Sequence, residues 1–169
     1  MNQGISLSPD GIKYPLPKKE DYEKELNRAQ KLVKKAKRKG QEIVVVMGVG
    51  FVGAVMAAIV ADTVDENGKP TKFVIGMQRP SVRSFWKIPM LNKGISPVKA
   101  EDPEVEPMIR RCVIDKKTLV ATYVYDVLQF ADVVIIDVQL DYHKNELGNV
   151  RNGQVEMTAL EESFEVIAK

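Results

Sequence analysis

Apolar and polar positions along the chain fall into short continuous apolar runs separated by helical stretches. Ile43-Val44-Val45-Val46-Met47, Phe73-Val74-Ile75, Leu119-Val120-Ala121-Thr122 and the run from Ala131 to Val138 are short and rich in β-branched residues. That is the composition of parallel strands buried on both faces. They predict strands over 42–47, 72–77, 119–122 and 131–138. Between them the period changes. Leu26, Ala29, Leu32, Val33 and Ala36 form one apolar stripe, with acids early, bases late and Gly40 as a stop, which predicts a helix over 18–39. The run Ala54 to Ala61 predicts a buried helix over 51–62. A short helix is expected around 85–92, a longer one from Asp102 or Pro103 to Ile114, and a helical turn through Val127, Leu128 and Phe130. A last helix opens with a capping box, Thr158-Ala159-Leu160-Glu161, and carries a stripe of Leu160, Phe164 and Ile167.

The remaining stretches read as connections. Residues 1–17 are rich in Gly, Pro and Ser and are expected to form an irregular arm, and 65–70 is turn chemistry. Residues 78–107 are too long for a plain connection and read as a functional loop. Residues 139–155 read as a polar loop, with turn signals at Leu147-Gly148-Asn149 and Asn152-Gly153. Strand and helix in alternation predict an α/β fold: a Rossmann-like, open, mostly parallel sheet of order 3-2-1-4 with helices on both faces. The expected division is an arm with a basic amphipathic helix over 1–40, then a dinucleotide-binding domain over 41–169. A fifth strand is expected after the final helix, so the sheet is expected to be incomplete at its C-terminal side or completed elsewhere.

Composition narrows the class. With 169 residues, 44% hydrophobic and 28% charged, the chain has the make-up of a soluble globular protein. A net charge of +2 gives no global pull toward nucleic acid or membrane. Charge is uneven, with eleven Lys and Arg against five Asp and Glu in residues 1–40. The basic end Lys34–Lys39 reads as a solvated helix terminus whose charges suit the helix dipole. Cys112 is the single cysteine, so no internal disulfide forms, which fits a reducing cytoplasm. There is no 18-residue apolar run and no signal-peptide pattern, so a cytoplasmic protein is expected.

The candidate chemistry lies after the first sheet strand. Gly48-Val49-Gly50-Phe51-Val52-Gly53 is a G-x-G-x-x-G motif between a predicted strand and a predicted helix. Gly48 is expected to make the tight turn, Gly50 to admit a pyrophosphate to bare backbone, and Gly53 to let helix and strand pack closely. The helix N-terminus would offer N–H groups and partial positive charge to the phosphates. A ribose-binding acid is usual at the end of the second strand. Gln78 stands there, with Arg79 next and Arg83 nearby, and no carboxylate occurs between Gly76 and Glu101. Gln78 can bond a 2′-hydroxyl, and Arg79 or Arg83 can pair with a 2′-phosphate, so NAD and NADP both stay open. Arg79, Arg83, Phe85, Trp86 and Lys87 suit either nucleotide stacking or a lid anchored by aromatics. Asp137, Asp141 and His143 fall at or beyond the end of the fourth strand, yet their spacing fits no standard metal-ligand set. Cys112 reads as a small buried hydrophobe and not as a nucleophile.

Taken in order, these motifs resemble the N-terminal domain of the UDP-glucose/GDP-mannose (nucleotide-sugar) dehydrogenase family. The series runs Val46–Gly53, Phe73–Gly76, Leu91-Asn92-Lys93-Gly94-Ile95-Ser96-Pro97-Val98, Leu119–Thr122 and Ala131–Val138. The resemblance implies NAD held at Gly48–Gly53 and oxidation of a UDP- or GDP-sugar C6 alcohol to the uronate. It also implies cofactor-side roles for Thr122 and Val138. Departures are equally plain. Gln78 replaces the family's acid, Thr122-Tyr123-Val124 replaces Thr-Thr-Asp, and Val138-Gln139-Leu140-Asp141 replaces Val-Pro-Thr-Pro. The family's catalytic Cys, Lys and Asn lie in later segments, so this chain is expected to supply cofactor binding without catalytic residues. A non-catalytic nucleotide-binding or docking module is the alternative, and an exposed sheet edge leaves homo-oligomer formation open.

Overall fold

The computed structural model describes residues 4–143 and 153–168. The elements in order are β1 (Ile5–Leu7), β2 (Lys13–Pro15), α1 (Lys19–Arg38), β3 (Glu42–Met47), α2 (Phe51–Asp62), β4 (Lys72–Met77), α3 (Lys87–Asn92) and α4 (Val105–Arg110). A π-helical turn at Arg111–Asp115 follows, then β5 (Leu119–Thr122), a 3-10 turn at Tyr125–Phe130 and β6 (Val133–Ile136). The last elements are β7 (Asp141–His143), β8 (Gln154–Glu156) and α5 (Thr158–Ile167). The chain divides into two compact units, Met1–Asp137 and Val138–Lys169.

The first unit is built on four parallel strands in the order β5-β4-β3-β6. Counted along the chain this is 3-2-1-4, the order expected from the switch after the first strand. Alternate residues of the strands enter two cores. On one face Val44, Val46, Val74, Leu119 and Ala121 pack against Ala54, Ala57, Ala58 and Ala61 of α2, with Leu91 and Ile109. On the other face Ile43, Val45, Met47, Phe73, Ile75 and Met77 pack against Ala29, Val33 and Ala36 of α1, with Val127. The small residues of α2 let the helix lie close on the strands. The stripe read on α1 is the face that is buried, and Gly40, with φ of 77°, follows its last turn. The N–H of Lys18 donates to the Asp21 carboxylate, giving the N-terminus of α1 one reciprocal cap.

Three expectations need correcting. The arm over 1–17 is ordered: β1 and β2 form an antiparallel hairpin, with Ser6 paired to Tyr14. Ser6 and Ser8 are buried, and the Ser6 hydroxyl accepts from the Trp86 N–H at 3.2 Å. The helix expected to run to Ile114 changes register at Arg111 into the π-helical turn. The fourth strand is shorter than the apolar run and covers Val133–Ile136.

The second unit holds the β7–β8 hairpin, with Tyr142 paired to Val155, and α5. Part of the expected loop is therefore strand; the turn signals at 147–149 and Asn152 lie outside the described residues. The expected capping box does not form. Thr158 is the first helical residue and its hydroxyl donates to Glu156, while the N–H groups of Leu160 and Glu161 bond to the Met157 carbonyl. The stripe on α5 is largely exposed, Phe164 by 57%.

Candidate functional site

The four strands of the sheet end on one side, as parallel strands must, and the candidate residues follow those ends. Pairing continues past the strands: Gly48 N–H donates to the Met77 carbonyl at 2.8 Å, Gln78 N–H to Thr122 at 3.0 Å and Asp137 N–H to Met47 at 2.8 Å. The three glycines of the loop then separate by environment. Gly48 has φ of 103°, where a side chain is strained, and a Cβ there would strike the backbone carbonyl of Asp137. A Cβ on Gly53 would strike the carbonyl of Gly48 and approach the Asp137 carboxylate. A Cβ on Gly50 would meet nothing within 4 Å. Two glycines are thus sealed into the turn and the middle one faces open space.

Gly50 is also the N-cap of α2, with extended backbone and no side-chain cap. The first N–H groups of a helix have no intrahelical acceptor, so this end offers donors and partial positive charge to an anion. Phe51 and Val52 flank it and are exposed by 63% and 58%. Val49 does the opposite. Its side chain is fully buried and sits where a Cβ on Gly76 would be, 2.6 Å away. Gly76 on β4 therefore makes room for Val49, which pins the loop to the sheet.

Gln78 ties the loop to the next connection. Its Oε1 accepts from the Val49 N–H at 3.2 Å and its Nε2 donates to Ser84 Oγ at 3.3 Å. Ser84 in turn donates to the Arg79 carbonyl at 3.0 Å and lies 2.8 Å from Ser81 Oγ. Arg79 and Arg83 are exposed beside this network. The aromatic residues nearby act as anchors. Trp86 is buried and its indole N–H donates to the Arg83 carbonyl at 2.9 Å. Phe85 meets Tyr123 edge to face at 5.7 Å, and Tyr123 meets Tyr22 of α1 at 5.1 Å. Both aromatics are thus engaged within the fold, Phe85 half-buried and Trp86 buried.

No protein-family model matches the chain, and no curated protein does. Among solved structures the chain is similar to NDP-N-acetyl-D-galactosaminuronic acid dehydrogenase from Methanosarcina mazei Go1, with 28% identity and a TM-score of 0.63. The resemblance to nucleotide-sugar dehydrogenases holds in both sequence and fold. The match covers 83% of this chain but only 27% of that dehydrogenase.

Set against the nucleotide-sugar dehydrogenase pattern, the remaining residues divide. Thr122 is buried, and its hydroxyl donates to Glu25 of α1 at 2.8 Å. Glu25 is held from its other side by Arg28, whose Nε and Nη2 donate at 2.8 and 2.6 Å. This pairing, partly offset by burial, raises the Arg28 pKa above its ordinary value. The Thr122 side chain thus serves the seam between α1 and β5. Asn92, within the Leu-Asn-x-Gly-x-Ser-Pro segment, closes the outer edge of β5: it accepts from the Ala121 N–H at 2.7 Å and donates to the Ala121 carbonyl at 2.9 Å. Val138 opens the second unit.

Asp137 ends the first unit, whereas Asp141 and His143 lie in β7, where His143 Nε2 is 3.8 Å from Glu156. Among the described residues no group of three or more His, Cys, Asp or Glu could hold a metal ion. None of their helices is long and apolar enough to cross a membrane. Cys112 is buried at the far end of α2. Burial, reinforced by the Asp62 charge, pushes its thiol pKa up to about 12, and a thiol held neutral is no nucleophile.

The sequence reading missed Gly76, Ser84 and the Asp137 carbonyl. Only the glycine in a strand, Gly76, left a trace, since an isolated strand glycine marks a close approach.

Proposed function

We propose that this chain is the dinucleotide-binding part of a nucleotide-sugar 6-dehydrogenase-like oxidoreductase, with the catalytic residues contributed from outside it. The observation that carries the proposal is the division of labour among the three glycines, with Gly50 alone open in front of an uncapped helix N-terminus. The residues present fit a pyrophosphate: N–H groups stand at a helix start, and among the described residues nothing lies within 4 Å of where a Cβ on Gly50 would be. Gly48, Val49, Gly50, Phe51, Val52 and Gly53 would hold the phosphates. Gln78, Arg79 and Arg83 would face the adenosine ribose, and the backbone at Thr122 would border the nicotinamide side. The group itself, a nicotinamide dinucleotide, would supply hydride acceptance. The likeness to a uronic-acid dehydrogenase supports a UDP- or GDP-sugar C6 alcohol as substrate of the whole enzyme. A reducing cytoplasmic setting is proposed from the single thiol, and self-association from the exposed β6 margin.

Calorimetric titration with nicotinamide dinucleotides tests the proposal. Binding is expected for the native chain and is expected to disappear in Gly50→Val, whose side chain fills the pyrophosphate space while the melting temperature moves by less than about 3 °C. Unchanged affinity in that variant would remove the glycine loop from the site. A non-catalytic docking module, favoured by Gln78 in place of the acid, is the second reading. It predicts no dinucleotide binding by the native chain.

A further inference from the structure

The geometry points to a second binding site, for a small apolar carboxylate, in the groove along the outer margin of β5. The groove has a volume of about 480 Å³, within the range of roughly 300–1,000 Å³ that small-molecule sites occupy. Its walls are apolar: Leu32 of α1, Phe73 of β4, Val113 and Ile114 of the π-helical turn, and Val120 of β5. The π-helical form is rare and recurs at functional sites. Phe73 and Leu119 lie at the starts of β4 and β5, whereas the glycine loop follows the end of β3. The groove is therefore separate from the dinucleotide reading and does not rest on it.

Two cations and an amide interrupt these walls, and among the described residues no carboxylate lines the groove. Two of the three polar side chains hold partners within the fold. Arg28 donates to Glu25 and, at 3.1 Å, to the Ala121 carbonyl, and Asn92 bonds through both ends of its amide to Ala121. Lys117 differs. Among the described residues its ammonium forms no ion pair and no hydrogen bond. The ionic cluster nearby does not claim it, since Asp62 is held by Arg111 and Lys116. Its backbone is also unusual: with φ of 56°, Lys117 is the one non-glycine among the described residues in the left-handed region. There it closes a helix end, with the Thr118 N–H donating to the Cys112 carbonyl at 2.8 Å. Glycine normally takes such a place, so a lysine there is strained. Strain of this kind, a rare helical turn and an unengaged cation thus meet in one apolar groove. A single anionic head on an apolar body complements it: the head answers Lys117 and the body covers the walls.

Titration of the whole chain with octanoate, and with octanamide as its neutral counterpart, followed by amide NMR shifts, tests this. Octanoate is expected to move the signals of Ile114, Lys117 and Val120 and to bind about fivefold more tightly than octanamide, the upper end for one exposed ion pair. Lys117→Gly should abolish that preference while the melting temperature holds or rises, because glycine is unstrained at this φ. Lys117→Arg should keep the preference. Ile114→Asp sets a like charge on an exposed part of the wall and should weaken octanoate binding about fivefold or more with the fold kept. Equal affinities for octanoate and octanamide, shifts confined to residues outside the groove, or a preference that survives Lys117→Gly would each overturn the inference. So would the absence of any binding at millimolar octanoate.

Discussion

The two ends of α2 are built on opposite plans. At Gly50 the helix begins without a side-chain cap, flanked by exposed Phe51 and Val52 and facing open space. At Asp62 it ends in a dense ionic cluster. The Asp62 carboxylate takes three hydrogen bonds from Arg111 at 2.7–3.1 Å and one from Lys116 at 2.8 Å, and Lys116 also caps the Asp62 carbonyl at 2.9 Å. Cys112 lies against the same turn, its Sγ 3.5 Å from the Ala58 carbonyl and from Asp62. Helix ends carry unsatisfied backbone groups by geometry, and a folded protein normally answers them at both ends. Here the carbonyl end is answered from within the chain and the N–H end is left for something else. The molecule spends its own side chains at one end of the helix and keeps hydrogen-bonding valence in reserve at the other.

Substitutions at the two ends should therefore fail differently. The largest effect is expected at Gly53. Gly53→Ala drives a Cβ into the Gly48 carbonyl, and because that neighbour is backbone it cannot swing aside. A loss of about 3 kcal/mol in urea-unfolding stability is expected, together with loss of dinucleotide binding. A variant as stable as the native chain would mean that the loop is softer than its contacts indicate.

Asp62→Asn comes next and should do the reverse, costing about 1–2 kcal/mol of stability while dinucleotide affinity stays within about twofold. Acid should reproduce it. Arg111 above all holds the Asp62 carboxyl well below the usual carboxylate range. A depressed folded-state pKa means that the stabilisation is complete above the ordinary range and drains as pH falls toward the folded value. The gap between native and Asp62→Asn stability should thus be widest near neutrality and should close in acid. A gap that is constant with pH would argue against the ionic cluster as its source.

The smallest perturbation probes the sealed end without changing it. Cys112 should react with a thiol reagent at least about a hundredfold more slowly in the native protein than in denaturant, because burial keeps the thiol neutral. Fast native labelling would show that this end opens.

The four-stranded sheet and its order were legible because each strand is an uninterrupted apolar run, and because both glycine turn and helix follow the first one. The N-terminal hairpin was not. Its three-residue strands show Ile5 and Leu7 to solvent and bury Ser6, the inverse of the usual signal. The capping box at Thr158 misled because Glu156, outside the four-residue motif, claims the hydroxyl. At the candidate site the spacing of the glycines conveyed the turn and the open middle position. What it did not convey was the bond between Gln78 and Val49, residues far apart in sequence that only the parallel register brings together. The role of Asn92 stayed hidden for the same reason.

Asn92 gives the sheet a direction of growth. An asparagine amide offers one acceptor and one donor, as a neighbouring strand's peptide group does, and here both are spent on Ala121. Any segment seeking to extend the sheet beside β5 would have to evict that amide first. The opposite margin, at β6, has no such stopper among the described residues. This is a ribbon with a hem on one side, and whatever lengthens it must arrive from the other.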